Sequence, residues 1–112
     1  MSNDVLIANL ADTARKAART LVSASFEERT AALLAIATAL ESSVEEIVAA
    51  NKEDMERGKA AGLNSQLLDR LMLNEARITA IAGGTRKVAA LPNPLGNVLR
   101  KRTLDNGLEL TQ

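Results

Sequence analysis

Carboxylates are the side chains in this chain that come closest to acid–base chemistry. They occur as neighbours in Glu27-Glu28, Glu45-Glu46 and Glu53-Asp54. A general acid and its base must converge on one cleft. These pairs fall instead in the first turns or on the polar faces of predicted helices, where carboxylates offset the helix dipole and hold water. Asn51 interrupts an otherwise apolar helical stripe. It has two readings: an amide bonded to the backbone of a neighbouring segment, or a polar group lining a substrate channel. Asp69-Arg70 lies inside the apolar run from Leu67 to Leu71 and reads as a half-buried, ion-paired structural element. Gly83-Gly84 and Gly96 make no phosphate cradle, because the chain has neither GxGxxG nor GxxxxGK followed by Ser or Thr.

The residue types that are missing narrow the chemistry further. Among 112 residues there is no His, Cys, Tyr or Trp and a single Phe. Those side chains carry most nucleophilic, proton-transfer and metal chemistry near neutral pH, so no catalytic, cofactor-binding or metal-ligating residue is assigned. Without cysteine there is no disulfide or zinc framework. Fourteen basic residues balance fourteen acidic ones, which gives no electrostatic footprint for nucleic acid. The densest basic cluster, Arg100-Lys101-Arg102, reads as a solvated strand face. No signal peptide is apparent. No run approaches the roughly 20 apolar residues that cross a bilayer. A cytoplasmic protein without membrane or nucleic-acid partners is the expectation.

The positioning elements are mostly helical. Ile7, Leu10, Ala14, Ala17 and Leu21 recur at helical spacing and predict a first helix over residues 3 to 22, capped by Ser2 or Asn3 and packed along that stripe. Ser25 and Glu28 have capping-box spacing and open a second helix, with Leu33, Ile36, Ala37 and Leu40 as its buried stripe. Ser43 and Glu46 repeat the spacing and predict a third helix, which carries Val44, Ile47, Val48, Asn51 and Met55 and ends near Gly62. Asn64 or Ser65 caps a short helix through Leu71, and Asn74 caps a last one with Ile78, Ile81 and Val88. Gly83-Gly84 inside it marks a kink, a break or a close backbone approach.

Leu91-Pro92-Asn93-Pro94 stops the helical region. Beyond it, Asp105-Asn106-Gly107 sits between extended segments and signals a hairpin whose two central turn residues take positive φ. A two-stranded hairpin is marginal alone, so this one is expected to have a partner sheet outside the chain. The division is a helical segment over residues 1–92 and an extended linker with hairpin over 93–112. Only one modest domain fits this length, and alanine supplies much of its 46% hydrophobic content, so marginal stability is expected.

Several pieces in register carry a family resemblance. They are Ala49-Ala50-Asn51-Lys52-Glu53-Asp54-Met55 with Gly62-Leu63, then Leu68-Asp69-Arg70-Leu71-Met72-Leu73 with Arg77-Ile78. Arg86-Lys87-Val88, Leu91-Pro92-Asn93-Pro94-Leu95-Gly96-Asn97-Val98 and Leu104-Asp105-Asn106-Gly107-Leu108-Glu109-Leu110 follow. Each is weak alone. Together they resemble the N-terminal region of gamma-glutamyl phosphate reductases, more loosely before Ala49.

The resemblance implies a mostly α segment with a C-terminal β-hairpin, a fragment of an aldehyde-dehydrogenase-like α/β fold. It implies an NADPH-dependent oxidoreductase of proline biosynthesis whose cysteine attacks the acyl phosphate. It also implies a hairpin that joins an oligomerisation sheet, with the rest of the reductase chain or another subunit as partner in a homo-oligomer. NADPH belongs to the full-length enzyme and is not expected to bind this chain alone, which has no cysteine to carry a catalytic role over. At most Asn51 and Asp54 would face the substrate side. The alternative is a free-standing helical protein-interaction module.

Overall fold

The computed structural model describes residues 2–112. They form α1 (Asn3–Val22), α2 (Phe26–Ser42), α3 (Val44–Ala60), α4 (Ser65–Leu71) and α5 (Glu75–Ala89), followed by strands β1 (Lys101–Thr103) and β2 (Glu109–Thr111). Each helix starts where a short polar side chain can take up an unpaired backbone N–H. Ser2, Ser25, Asn64 and Asn74 each accept from the amide three residues on, and Ser25 with Glu28 completes the reciprocal capping box. Ser43 departs from this pattern. The chain does break there, at φ −112° and ψ 18°, but the Ser43 side chain makes no capping bond. Those angles lie outside the extended geometry from which an N-cap hydroxyl reaches forward, so the Ser43–Glu46 spacing produces no box.

The C-terminus of α3 is closed by glycine. Gly62, at φ +80°, donates to the Lys59 carbonyl at 3.0 Å, and Leu63 donates to the Gly58 carbonyl at 3.1 Å. This pair of bonds is a Schellman closure, which needs the left-handed conformation that glycine adopts without strain.

The core sits between α2 and α5, which make the most extensive helix–helix contact; α3 packs on α4 and α5. Ala37 of α2 and Ile78, Ala82 and Ala89 of α5 are its buried apolar residues. Small side chains at the crossing let the two backbones approach closely but bury little area. The predicted α2 stripe is only partly covered: Leu33 and Leu40 are half-buried, and Ile36 is exposed. On α5, Ile81 and Val88 likewise face solvent while Ile78 is buried. Gly83 and Gly84 do not break α5, and no other segment approaches the positions their Cβ atoms would occupy.

The predicted burial of the α1 stripe fails most completely. None of its residues is buried, Ile7 is 63% and Leu10 61% exposed, and α1 makes no substantial contact with any other element. The molecule is consequently extended, at 69 × 37 × 25 Å with a radius of gyration of 21.2 Å. A compact domain of this length would have a radius of about 13 Å.

At the far end the strands pair antiparallel, with Lys101 opposite Thr111, Arg102 opposite Leu110 and Thr103 opposite Glu109. The turn differs from expectation. Gly107, at φ +86°, has positive φ, and no described non-glycine residue does. Gly107 donates to the Leu104 carbonyl and Leu104 donates to the Leu108 carbonyl. These bonds define a three-residue loop, a type I turn completed by a left-handed glycine, rather than the two-residue turn that needs positive φ at Asn106 as well.

Candidate functional site

The polar side chains converge most clearly where α3 meets the α4–α5 turn. Asn51, on the inner face of α3, is 6% exposed. Its side-chain amide donates to the Leu71 carbonyl at 2.9 Å, and its Oδ1 accepts from the Leu73 amide at 2.8 Å. One side chain therefore holds both ends of the Leu71–Leu73 turn, satisfying groups that the end of α4 leaves unpaired. Asp54 lies one turn along α3, half-buried, and pairs with Arg57 on its own helix. The two sequence candidates thus share a helix but not a role: Asn51 grips the turn, while Asp54 is occupied by its neighbour.

A second polar centre sits on the same turn. The Arg77 guanidinium donates to the Met72 carbonyl at 2.9 Å, to the Asp69 carboxylate at 2.7 Å, and to the Asp69 carbonyl. Asp69 is thus paired through space with Arg77, not with adjacent Arg70, and both Asp69 and Arg70 are exposed rather than half-buried. Arg77 escaped the sequence reading, although it carried a signal. A cation in the first turn of a helix opposes the dipole. Its placement there makes sense when it caps the carbonyls at the C-terminus of the preceding helix, as Arg77 does for α4.

Two further features are long-range and gave no local signal. Arg86 of α5 pairs in bidentate fashion with Glu41 of α2, at 2.5 and 2.7 Å. The Arg86 hydrogen bonds hold the Glu41 carboxyl below its ordinary range, against a smaller opposing effect of desolvation, and the same bonds raise Arg86. Between the N-terminal half of α2 and the C-terminal end of α5, Phe26, Leu33, Val88, Leu91, Pro92 and Leu95 line an open apolar groove of about 410 Å³. Arg29 at its edge donates to Asn93 at 3.1 Å, and the same Asn93 oxygen accepts from the Leu95 amide. That oxygen fixes the exit of the chain from α5.

None of these centres assembles a nucleophile with a base. Among the described residues, no group of three His, Cys, Asp or Glu is placed to hold a metal ion. No helix is long and apolar enough to cross a membrane. The arrangement binds backbone to backbone and helix to helix.

Comparison with known proteins identifies what is so arranged. The chain is 52% identical over 99 residues to the gamma-glutamyl phosphate reductase of Kineococcus radiotolerans, covering 88% of this chain and 23% of that protein. It is 44% identical over 106 residues to the enzyme of that name from Thermobifida fusca, covering 95% of this chain and 25% of the relative. The chain is homologous to a segment of gamma-glutamyl phosphate reductase. The crystal structure of gamma-glutamyl phosphate reductase from Thermotoga maritima superposes on 90% of the chain with a TM-score of 0.83 at 32% identity, using 24% of its own length. No protein-family model matches. The chain thus spans about a quarter of the reductases it matches, and its fold is that of a piece of the enzyme.

An NADPH site does not fit the residues present. Dinucleotide binding needs a parallel strand, a glycine-rich turn and a helix whose N-terminus receives the pyrophosphate. This chain runs helix to helix and then into a short antiparallel hairpin.

Proposed function

We propose that this chain is the N-terminal helical part of a cytoplasmic, NADPH-dependent gamma-glutamyl phosphate reductase of proline biosynthesis. In this reading it supports the enzyme structurally and does not carry the reacting groups. The observation that supports it most is the 44–52% identity to reductases along 87–95% of the chain. Reduction of the acyl phosphate to the semialdehyde, with release of phosphate, is then the work of residues outside these 112. The chain has no cysteine to form the thioester and no unit suited to the dinucleotide.

The physical state of the surface supports the same reading. The accessible surface is 9121 Å². A compact monomer of this mass would expose about 6,000 Å². Along the linker and hairpin, Leu95, Val98, Leu99, Leu108 and Leu110 are 48–78% exposed, as expected of a face covered by the rest of the reductase or by another subunit. Asn51 and Asp54 are the positions of α3 that would meet the substrate side of the enzyme. There they would act on substrate indirectly, because Asn51 is already bonded to the Leu71–Leu73 turn.

The test is reconstitution. The chain is co-expressed with the portion of the Thermobifida fusca reductase that it does not match, and NADPH oxidation with gamma-glutamyl phosphate is followed. The pair is expected to co-purify and turn over, and the chain alone to be inactive. Turnover by the isolated chain, freed of host enzyme, would overturn the proposal, as would failure of the two pieces to associate.

A further inference from the structure

We infer that Asn106 is a site of spontaneous covalent modification, at which the Gly107 backbone nitrogen attacks the Asn106 side-chain amide, and that the hairpin's own hydrogen bonds gate the reaction. The inference concerns the 112-residue chain and does not depend on the reductase reading. Asparagine is among the thermolabile residues. In the first step a bond forms between the Gly107 nitrogen and the Asn106 Cγ, and the Cγ–Nδ2 bond breaks. Ammonia leaves, carrying the proton that the Gly107 nitrogen gives up. The cyclic imide then takes up water at either carbonyl, giving aspartate or isoaspartate. The nitrogen reaches Cγ most easily when no side chain shields it, and of the asparagines in this chain Asn106 is the one followed by glycine. Asn93 precedes Pro94, whose nitrogen has no proton to give. Asn97 precedes the β-branched Val98, and Asn51 lies inside α3, where the next amide is held by the helix.

The fold decides when the reaction runs. Asn106 and Gly107 are both exposed, so water reaches them. The Gly107 nitrogen, however, donates to the Leu104 carbonyl at 2.9 Å, and the Leu108 nitrogen donates to Asn106 Oδ1 at 3.0 Å. The Leu108 bond polarises the side-chain carbonyl and leaves its carbon open to attack. The Leu104 bond withholds the nucleophile. An amide nitrogen must release its proton to attack, and one held in a hydrogen bond releases it when that bond opens. Opening costs little here. The strands are three residues each and exposed throughout, and neither packs substantially on a helix. A two-stranded hairpin of this kind is marginal in water. The change is also one-way. Isoaspartate puts an extra backbone carbon into the loop, so the bonds from Gly107 to Leu104 and from Leu104 to Leu108 lose their register. A modified hairpin therefore stays open.

The test locks the hairpin shut. Arg100 and Gln112 exchange backbone bonds, so the next pair, Lys101 opposite Thr111, is the closely spaced kind without them, at a separation a disulfide spans. Lys101→Cys with Thr111→Cys therefore cross-links the strands, and the chain has no other cysteine to compete. The oxidised and reduced forms are incubated at mildly alkaline pH, and the mass gain of amide-to-acid conversion is mapped by peptide mass spectrometry. The gain is expected at Asn106, at least about tenfold slower in the oxidised chain than in the reduced one. Equal rates in the two forms would overturn the gate. A gain that maps to another asparagine, or no gain, would overturn the site. The unaltered chain gives a second reading that needs no cross-link. Relative to the urea-unfolded chain, conversion of Asn106 is expected to slow by the same factor as hydrogen exchange of the Gly107 amide. A protected Gly107 amide beside an unslowed conversion would refute the mechanism.

Discussion

Replacing Asn51 by alanine removes the two hydrogen bonds that hold the Leu71–Leu73 turn to α3. The Leu71 carbonyl and the Leu73 amide then lose their partner together. An orphaned buried polar group costs about 1–3 kcal/mol. The turn is only half-buried, so water reaches part of it, and the expected loss is about 2–3 kcal/mol. Urea unfolding followed by helical circular dichroism measures that loss. Exchange of the Leu73 amide locates it, since about 2 kcal/mol lost at that site speeds exchange about 30-fold. Asn51→Asp sharpens the test. The new carboxylate keeps an acceptor for Leu73 but points a second oxygen at the Leu71 carbonyl. This variant should be less stable than Asn51→Ala at neutral pH and recover on acidification, when the protonated carboxyl can donate. A loss below about 0.5 kcal/mol in Asn51→Ala, with Leu73 exchange unchanged, would show that the turn is held by something else.

Three other perturbations probe separate links. Gly58→Val places methyl groups where even a single added carbon would lie 3.1–3.3 Å from Leu63, Leu68 and Leu71, so it should loosen α4 from α3 by about 1–3 kcal/mol; an unchanged urea midpoint would show that those leucines move aside freely. Gly83→Ala with Gly84→Ala fills open space in a continuous helix and should stabilise the isolated chain by about 1–2 kcal/mol in total, which a raised thermal midpoint would report. The Glu41 carboxyl is held below its ordinary value of 4.5 by Arg86, so the stability it contributes is full above that value and is lost as pH falls through the lower folded value. Glu41→Gln should flatten the acid limb of stability against pH, and an identical acid limb in the variant would remove the pair from the account.

Local chemistry was legible in the sequence because capping and closure are short-range. Ser25 with Glu28, Asn74 before α5 and Gly62 after α3 each act within a few residues, and their bonds are present. Ser43 shows the limit: the spacing was right, but the backbone there is not extended, and spacing alone does not report φ and ψ. The hairpin shows a related limit. Asn-Gly signalled a turn, yet the ladder bond from Leu104 to Leu108 set a three-residue loop that asks only Gly107 for positive φ. Asp69 was misassigned because adjacency in sequence is a poor guide on a helix, where neighbours point about 100° apart. Its partner Arg77 lies across a turn. Glu41–Arg86 and Arg29–Asn93 span 45 and 64 residues and leave no local trace.

The stripes failed for a different reason, and that failure says most about the molecule. Periodicity reports that a face is apolar; it does not report what covers it. Ala37, Ile78 and Ala82 found cover within the chain, while Ile7, Leu10, Ile36, Ile81 and Val88 on the same kinds of stripe did not. If hydrophobic burial within these 112 residues had set the pattern, α1 would lie across α2 and α5, and the radius of gyration would fall well below 21.2 Å. The same argument applies to Gly83 and Gly84. Two glycines weaken a helix by about 1 kcal/mol each, and nothing within the chain approaches them to compensate. In the proposed reading, in which these residues are part of a longer reductase, the uncovered stripes and the open glycines would meet surfaces outside this segment. A sequence that is 44–52% identical to about a quarter of a reductase is what would preserve such features without the contacts that explain them.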